Sequence, residues 1–236
     1  MLPASDVLKT AFTTGILPKA LVSSGQAGTR QSVLVPIRSL GSGERECILR
    51  HLLELDAHDR YLRFGCAASD EQVCRYVNSI DFERDEVFGI YNRRLELIAM
   101  AHVAFAPAAQ HNDGAEFGVS VAKFARGRGY GALLFERAQI AARNQGVHML
   151  FIHALSENAA MLKIARNAGA AVQRSGSESE AHLDLPESTK DSLMSRVALD
   201  QLAEMDYQIK VQARQFWDLL TELQKQRADM RDENTV

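Results

Sequence analysis

The stretch ARGRGYGALLFERA (residues 125–138) sets Gly127, Gly129 and Gly131 on alternate positions between a strand-like run and a helix-like run. A strand, a glycine-rich turn and a helix start together make an anion site. Free backbone N–H groups and the positive end of the helix dipole both face such a turn. Arg126 and Arg128 add side-chain charge. Three phosphate-binding patterns compete for these residues. The P-loop needs Gly-Lys-Ser/Thr, which the sequence lacks. The dinucleotide pattern G-x-G-x-x-G/A is met formally by Gly127, Gly129 and Ala132. That pattern expects a parallel doubly wound unit, whereas the strand before this turn ends a run of expected hairpins. The pattern R/Q-x-x-G-x-G/A is met by Arg126, Gly129 and Gly131. Without a ligand, the same glycines would serve tight strand–helix packing.

Just ahead of the turn lies AEFGVSV. Strand alternation sends Ala115, Phe117, Val119 and Val121 to one face, and Glu116, Gly118 and Ser120 to the other. The first set is core. The second puts one carboxylate beside two small residues, a shallow floor along which a ligand arm could lie; a bulge would alter this parity.

The elements that must hold these residues follow from the pattern of the chain. Residues 1–30 read as an arm ending in the linker SSGQAGTR, residues 31–186 as one domain, and residues 187–236 as a helical extension. SVLVPIR reads as a strand, GERECILRHLLEL as a helix with Ile48 and Leu52 on its apolar stripe, and residues 71–77 as a second short helix. EVFGIYN, LELIAMAHVAFA and AEFGVSVA are strands separated by NRR and by APAAQHNDG. After the glycine turn come a helix to about Asn144, the strand VHMLFIHAL, the helix NAAMLKIARNAG capped by Gly169, and a hairpin. The order is β-α-α-β-β-β-α-β-α-β-β, which makes an α/β (α+β) domain with a mixed twisted sheet of about six to seven strands and flanking helices. From residue 187 onward there is neither glycine nor proline after the opening turn, and Leu202, Ile209, Phe216 and Leu223 recur every seven residues. This helix either packs on its own domain or pairs with a second subunit.

Composition narrows the function. Forty-six per cent apolar residues supply a core, and 27 basic against 30 acidic residues, net charge -3, exclude a basic nucleic-acid-binding domain. No run approaches the roughly 20 apolar residues of a membrane span. Cys47, Cys66 and Cys74 are odd in number and show no metal-ligand spacing, so the expectation is reduced thiols in a cytoplasm, with no metal.

In order of elements and in local motifs, the segment from Val33 to Leu185 resembles the GNAT family of N-acetyltransferases. VAKFARGRGYGALLFERA is similar to that family's pyrophosphate loop for acetyl-CoA. ALSENAAMLKIARNAGA is similar to its later strand–helix motif, in which an asparagine opens the helix and a glycine closes it. More narrowly, PIR, HDRYLRF, DFERDEVFGIY and AEFGVSVAKFARGRGYG resemble the bacterial branch that contains protein lysine acetyltransferase domains. The resemblance implies the acyl-CoA N-acyltransferase fold, splayed between FGVSVA and HMLFIHA, with a long C-terminal helix added. It implies acetyl-CoA as co-substrate and an amine as acceptor. The backbone of Arg126, Gly127, Arg128, Gly129, Tyr130 and Gly131 would bind pyrophosphate, Val119 and Val121 would offer N–H groups, and Asn158 would bind the pantetheine arm or simply cap its helix.

The implied chemistry is direct acetyl transfer. A lysine-type amine has a pKa of about 10.4 and must lose a proton before it attacks a thioester. Glu116 occupies the position of the family's glutamate base; Glu96, Asp113 and Glu157 are the other carboxylates considered. The tyrosine that many members carry seven residues after the helix-opening asparagine is here Ala165, so no general acid is assigned. His153 reads as a core histidine. Arg60 and Arg63 read either as flanking the acceptor or as solvated. A protein lysine is the favoured acceptor, with a small-molecule amine as alternative. A non-catalytic acyl-CoA-binding or assembly module is the reading from a different class, and either way a homodimer through the last helix is a possible assembly.

Overall fold

The computed structural model describes residues 35–106 and 114–233, apart from the side chains of 191 and 226–233. The expected arm (1–30), most of the APAAQHNDG turn and the carboxylate Asp113 lie outside the described residues. Seven strands form one sheet in the order β1-β2-β3-β4-β5-β7-β6. They are β1 (Arg38–Leu40), β2 (Glu86–Tyr91), β3 (Leu97–Phe105), β4 (Gly114–Val121), β5 (Met149–Leu155), β6 (Ala171–Ser175) and β7 (Glu178–Asp184). Every pairing is antiparallel except β4 with β5. The sheet is mixed, as the alternation of hairpins and crossover elements predicts.

Among the described residues, six α-helices flank it: α1 (Arg45–Leu53), α2 (Ala57–Phe64), α3 (Asp70–Ser79), α4 (Tyr130–Asn144), α5 (Ala159–Asn167) and α6 (Lys190–Glu233). The helix α2 corrects the sequence reading, which took HDRYLRF as part of a loop between two helices. Its local signals are at its ends. Asp56 accepts from the Asp59 N–H to open it, and Gly65 closes it at φ 72°. α3 is opened by a capping box in which Ser69 and Gln72 exchange side-chain-to-backbone bonds.

Two apolar clusters cover the two faces of the sheet. One packs Phe88, Ile98, Phe117 and Ile152 against Leu134 and Phe135 of α4. The other packs Val87, Leu97 and Met100 against Ile48 and Leu52 of α1 and Val73 and Val77 of α3. Full burial of each such side chain contributes about 1.5–3 kcal/mol. The alternation of β4 follows from these clusters. Phe117, Val119 and Val121 belong with the α4 side, and the β3–β4 register runs unbroken from Ala99↔Val121 to Phe105↔Ala115, with no bulge to reverse the parity.

The helix α6 is 44 residues long, about 66 Å at 1.5 Å per residue. Its first half lies on its own domain. Arg38 bonds Glu204 at 2.7 Å, Ser39 bonds Asp200 at 3.0 Å, Arg196 pairs with Glu86, and Tyr207 stacks edge-on against Tyr91. Asp200 also pairs with Arg137 of α4, whose side chain is only 3% exposed and whose Nε and Nη1 are otherwise unbonded. Beyond Arg214, which donates to the Arg94 carbonyl, Phe216, Trp217, Leu219 and Leu223 are exposed. Among the described residues, no helix is long and apolar enough to cross a membrane.

Candidate active site

The β4–β5 pairing is short. It holds only from Gly114↔Met149 to Glu116↔Phe151, so beyond Glu116 the two strands part. A cleft of about 1030 Å³ opens there, lined by β4, β5, α2, α5 and the glycine turn. The direction of the free backbone groups follows from one bond. Ala122 donates its N–H to the Ile98 carbonyl of β3 at 2.9 Å. Antiparallel alternation therefore turns the N–H groups of Gly118 and Ser120 towards β3, and those of Val119 and Val121 towards the open side. These are the two positions expected to offer donors.

The glycine turn explains its own composition. Gly127 and Gly129 have φ of 76° and 80°, in the left-handed region that a side chain disfavours. Gly131 is needed for a different reason: a Cβ there would sit 3.0 Å from Ile164 Cδ1 of α5. Backbone conformation and helix packing thus divide the three glycines between them. Tyr130 opens α4, with its ring partly buried against the core, so the helix N-terminus faces the turn. The Arg126 guanidinium is occupied. It pairs with Asp59 of α2 at 2.5 Å and donates to the Val121 carbonyl at 3.2 Å. Its side chain ties the turn to α2 and β4, and its backbone N–H donates to the Lys123 carbonyl at 3.4 Å, so the free backbone donors of the turn begin at Gly127. Arg128 is exposed.

A pyrophosphate fits this turn on chemical grounds: unblocked N–H groups, a helix dipole and an exposed arginine converge on it. The parted strands offer edge donors to an extended amide-bearing arm. Asn158 lines the cleft but already caps α5, accepting from the Met161 N–H at 3.1 Å and donating to the Leu62 carbonyl at 3.4 Å. Among the described residues, no group of three or more His, Cys, Asp or Glu could hold a metal ion.

Glu116 is exposed and lines the cleft at the last paired residue of β4. The floor beside it is built but not bare. A Cβ on Gly118 would fall 2.5 Å from Arg63 Nη2, so the Arg63 guanidinium lies flat on this glycine. Arg63 Nη2 donates to the Tyr76 hydroxyl at 2.7 Å, which donates to His102 Nδ1 at 2.8 Å, and His102 Nε2 donates to Asp85 at 3.2 Å. The proton positions follow from Asp85, which as a carboxylate can only accept. Burial pushes His102 below its ordinary pKa despite Asp85, and Arg63 adds to that shift. Burial opposes the ionisation of Asp85. Bonds from Arg84, the Phe105 N–H and His102 outweigh it and hold the carboxyl below its usual range.

Deeper on the same face, His51 donates to the Leu97 carbonyl at 2.9 Å and accepts from Ser120 Oγ at 2.8 Å. Burial pushes its pKa down to about 4, so it stays neutral under the floor.

The sequence reading missed Tyr76, which lines this cleft, and His102 and Asp85, which lie buried behind it. They carry no motif, and only the cap signals around α2 and α3 could have hinted at the packing that gathers them. Two further readings need correction. His153 is exposed and lines the cleft instead of sitting in the core, because α1 and α3 cover this sheet face over β2 and β3 but not over β5. Arg60 is not a solvated acceptor flank: it bonds the Leu53 and Leu55 carbonyls and Asp70. Ala165, where a catalytic tyrosine was sought, is fully buried.

Comparison with known proteins bears on this arrangement. A search of curated proteins finds no match. Among solved structures, the GNAT domain of S. lividans PAT is similar at TM-score 0.54 and 22% identity, covering 63% of this chain and 89% of that one. An acetyltransferase of the GNAT family from Streptococcus pneumoniae is similar at TM-score 0.52 and 12% identity, over 65% and 100% of the two chains. A spermidine N-acetyltransferase from Vibrio cholerae, solved with CoA and spermine, is similar at TM-score 0.50 and 16% identity, over 63% and 94%. At these identities the likeness speaks for the fold. The model of the Acetyltransferase (GNAT) family matches residues 49–170, more than half of the chain and the segment that carries both the parted strands and the glycine turn, and the chain belongs to that family.

Proposed function

We propose that the protein transfers an acetyl group from acetyl-CoA to a primary amine by direct attack, with Glu116 as the base and a protein lysine as the acceptor class. One observation carries the reading. Glu116 lines the cleft at the residue where β4–β5 pairing stops, next to the outward-turned N–H groups of Val119 and Val121. Acetyl-CoA supplies an activated thioester when bound. The backbone from Gly127 to Gly131 holds its pyrophosphate, and Asn158 contributes to the pantetheine path. Glu116 takes the proton that the attacking amine must lose. A backbone N–H of Val119 or Val121 meets the oxyanion that develops in the transition state, a donor whose loss elsewhere costs about 10²–10³-fold in rate. The three free thiols fit a reducing cytoplasm.

Calorimetric titration with acetyl-CoA, with NADH as control, tests the cofactor. CoA release with lysine-bearing peptides tests the acceptor. Acetyl-CoA binding without an NADH response supports the reading, and absence of acetyl-CoA binding overturns it. A small-molecule amine is the second reading, favoured by the uncompensated Arg63 charge on the cleft floor.

The exposed outer face of α6 supports a homodimer. Leu202, Met205, Ile209, Phe216, Leu219 and Leu223 are exposed and follow the three-and-four spacing of a coiled-coil seam. Sedimentation of the full chain should show a dimer that the double change Ile209→Asp, Phe216→Asp converts to monomer. A monomeric wild type would end the idea.

A further inference from the structure

The floor beneath Glu116 carries the guanidinium of Arg63. Arg63 takes part in no ion pair among the described residues, and its Nε is buried without a hydrogen-bond partner. Its one bond goes to a neutral phenol, Tyr76, at 2.7 Å. The rings of Phe64 and Tyr76 lie 5.3 Å away, which favours a cation but leaves its in-plane donors unused. Compare Arg137, buried more deeply, which is given Asp200. A guanidinium is always charged and presents paired donors shaped for a carboxylate. Left partly buried in a cleft without one, it is set for a ligand's.

The network behind Arg63 acts as a clamp. Asp85 orients His102, His102 orients Tyr76, and Tyr76 fixes one edge of the guanidinium. Gly118 removes the side chain that would lift the plane off the strand. Arg63 and Glu116 thus stand over the same face of β4, two residues or about 6.8 Å apart along the strand. One end of that span is cationic and the other anionic.

We infer that the acceptor carries a carboxylate close to its amine, held by Arg63 while Glu116 takes the amine. This rests on the acetyl-transfer reading above and takes up its second acceptor class, a small-molecule amine, in place of a protein lysine. An α-amino acid carries both groups on one carbon. An acidic residue beside the target lysine of a peptide offers the same chemistry, and so does a dicarboxylic acyl group on CoA.

Matched pairs differing only in the carboxylate separate these sources. The pairs are L-leucine against isopentylamine, a lysine peptide flanked by aspartate against one flanked by asparagine, and succinyl-CoA against butyryl-CoA. Each is measured as kcat/KM by CoA release on the full-length protein and on Arg63→Met. The expected result is at least a tenfold preference for the carboxylate in the amino-acid pair, reduced to within about twofold in the variant. A preference in the peptide pair instead moves the source to a peptide acceptor while keeping the Arg63 contact, whereas a preference in the acyl pair alone overturns the claim that the acceptor carries the carboxylate. No preference in any pair, or one that survives Arg63→Met, overturns the inference. Gly118→Ala keeps the arginine but displaces it and should give the same loss, which guards against a misfolded variant. If no amine is turned over, calorimetry of L-leucine and isopentylamine on the CoA-saturated protein decides. Tighter L-leucine binding that Arg63→Met abolishes supports the clamp, and equal binding overturns it. Failure of the acetyl-transfer reading shows separately, as absence of acetyl-CoA binding.

Discussion

The two ends of the cleft are built in opposite ways. At one end a single contiguous turn, residues 126–131, offers backbone N–H groups, two left-handed glycines and a helix start. At the other end, side chains from α2, α3, β3 and β4 and from the turn before β2 converge on the face of Gly118. The first suits a ligand that every relative in the family shares. Its donors come with the backbone and survive most side-chain changes. The second suits whatever is particular to this protein, because each of its donors is a side chain that can be exchanged alone. The comparison teaches where to look for specificity: among the side chains over β4, not in the glycine turn.

The largest effect should separate rate from affinity. Glu116→Gln is expected to lower kcat by about 10²–10⁴-fold, the usual contribution of a positioned base, with acetyl-CoA affinity unchanged by calorimetry. If affinity falls equally, the two ends are not independent. A change remote from both serves as the control. Asp200→Ala strands the buried Arg137 charge and should cost about 3 kcal/mol in chemical denaturation. Below its unfolding transition it should leave the acetyl-CoA affinity intact.

Acid probes the floor. The folded pKa of His51 is about 4 against 6.5 unfolded, so between those values the unfolded state binds the extra proton. Stability from this group is fully present above pH 6.5 and falls by about 3 kcal/mol as pH drops to 4. His51→Asn should flatten the pH dependence of unfolding over that window. An unchanged slope would assign the acid sensitivity to other groups. The smallest effect belongs to the glycine end. Gly129→Val puts a β-branched residue at φ 80°, a strain of about 1–2 kcal/mol, and should weaken acetyl-CoA about tenfold with kcat at saturation retained. A loss of kcat without loss of affinity would reverse the assignment of the two ends.

Much of this was legible before any coordinates. The order of strands and helices, the glycine turn and the parity of β4 were read from spacing, because alternation and left-handed glycines are properties of neighbouring residues. The helix α2 was missed because its eight residues carry their apolar side chains as a short cluster, Tyr61, Leu62 and Phe64, with no repeat to betray a period. His153 was misplaced because alternation tells which residues share a face but not whether helices cover it.

By itself, then, the sequence determined the family, the sheet, the glycine turn and the carboxylate on the small-residue face of β4. Tertiary structure alone decided the rest. Arg63 meets Tyr76 across 13 residues, Tyr76 meets His102 across 26, and Arg38 meets Glu204 of α6 across 166. A strand or a turn is specified by residues within a few positions of one another. A charge becomes a clamp, or a helix docks, only when segments far apart in the chain are brought together, and no local period records that meeting.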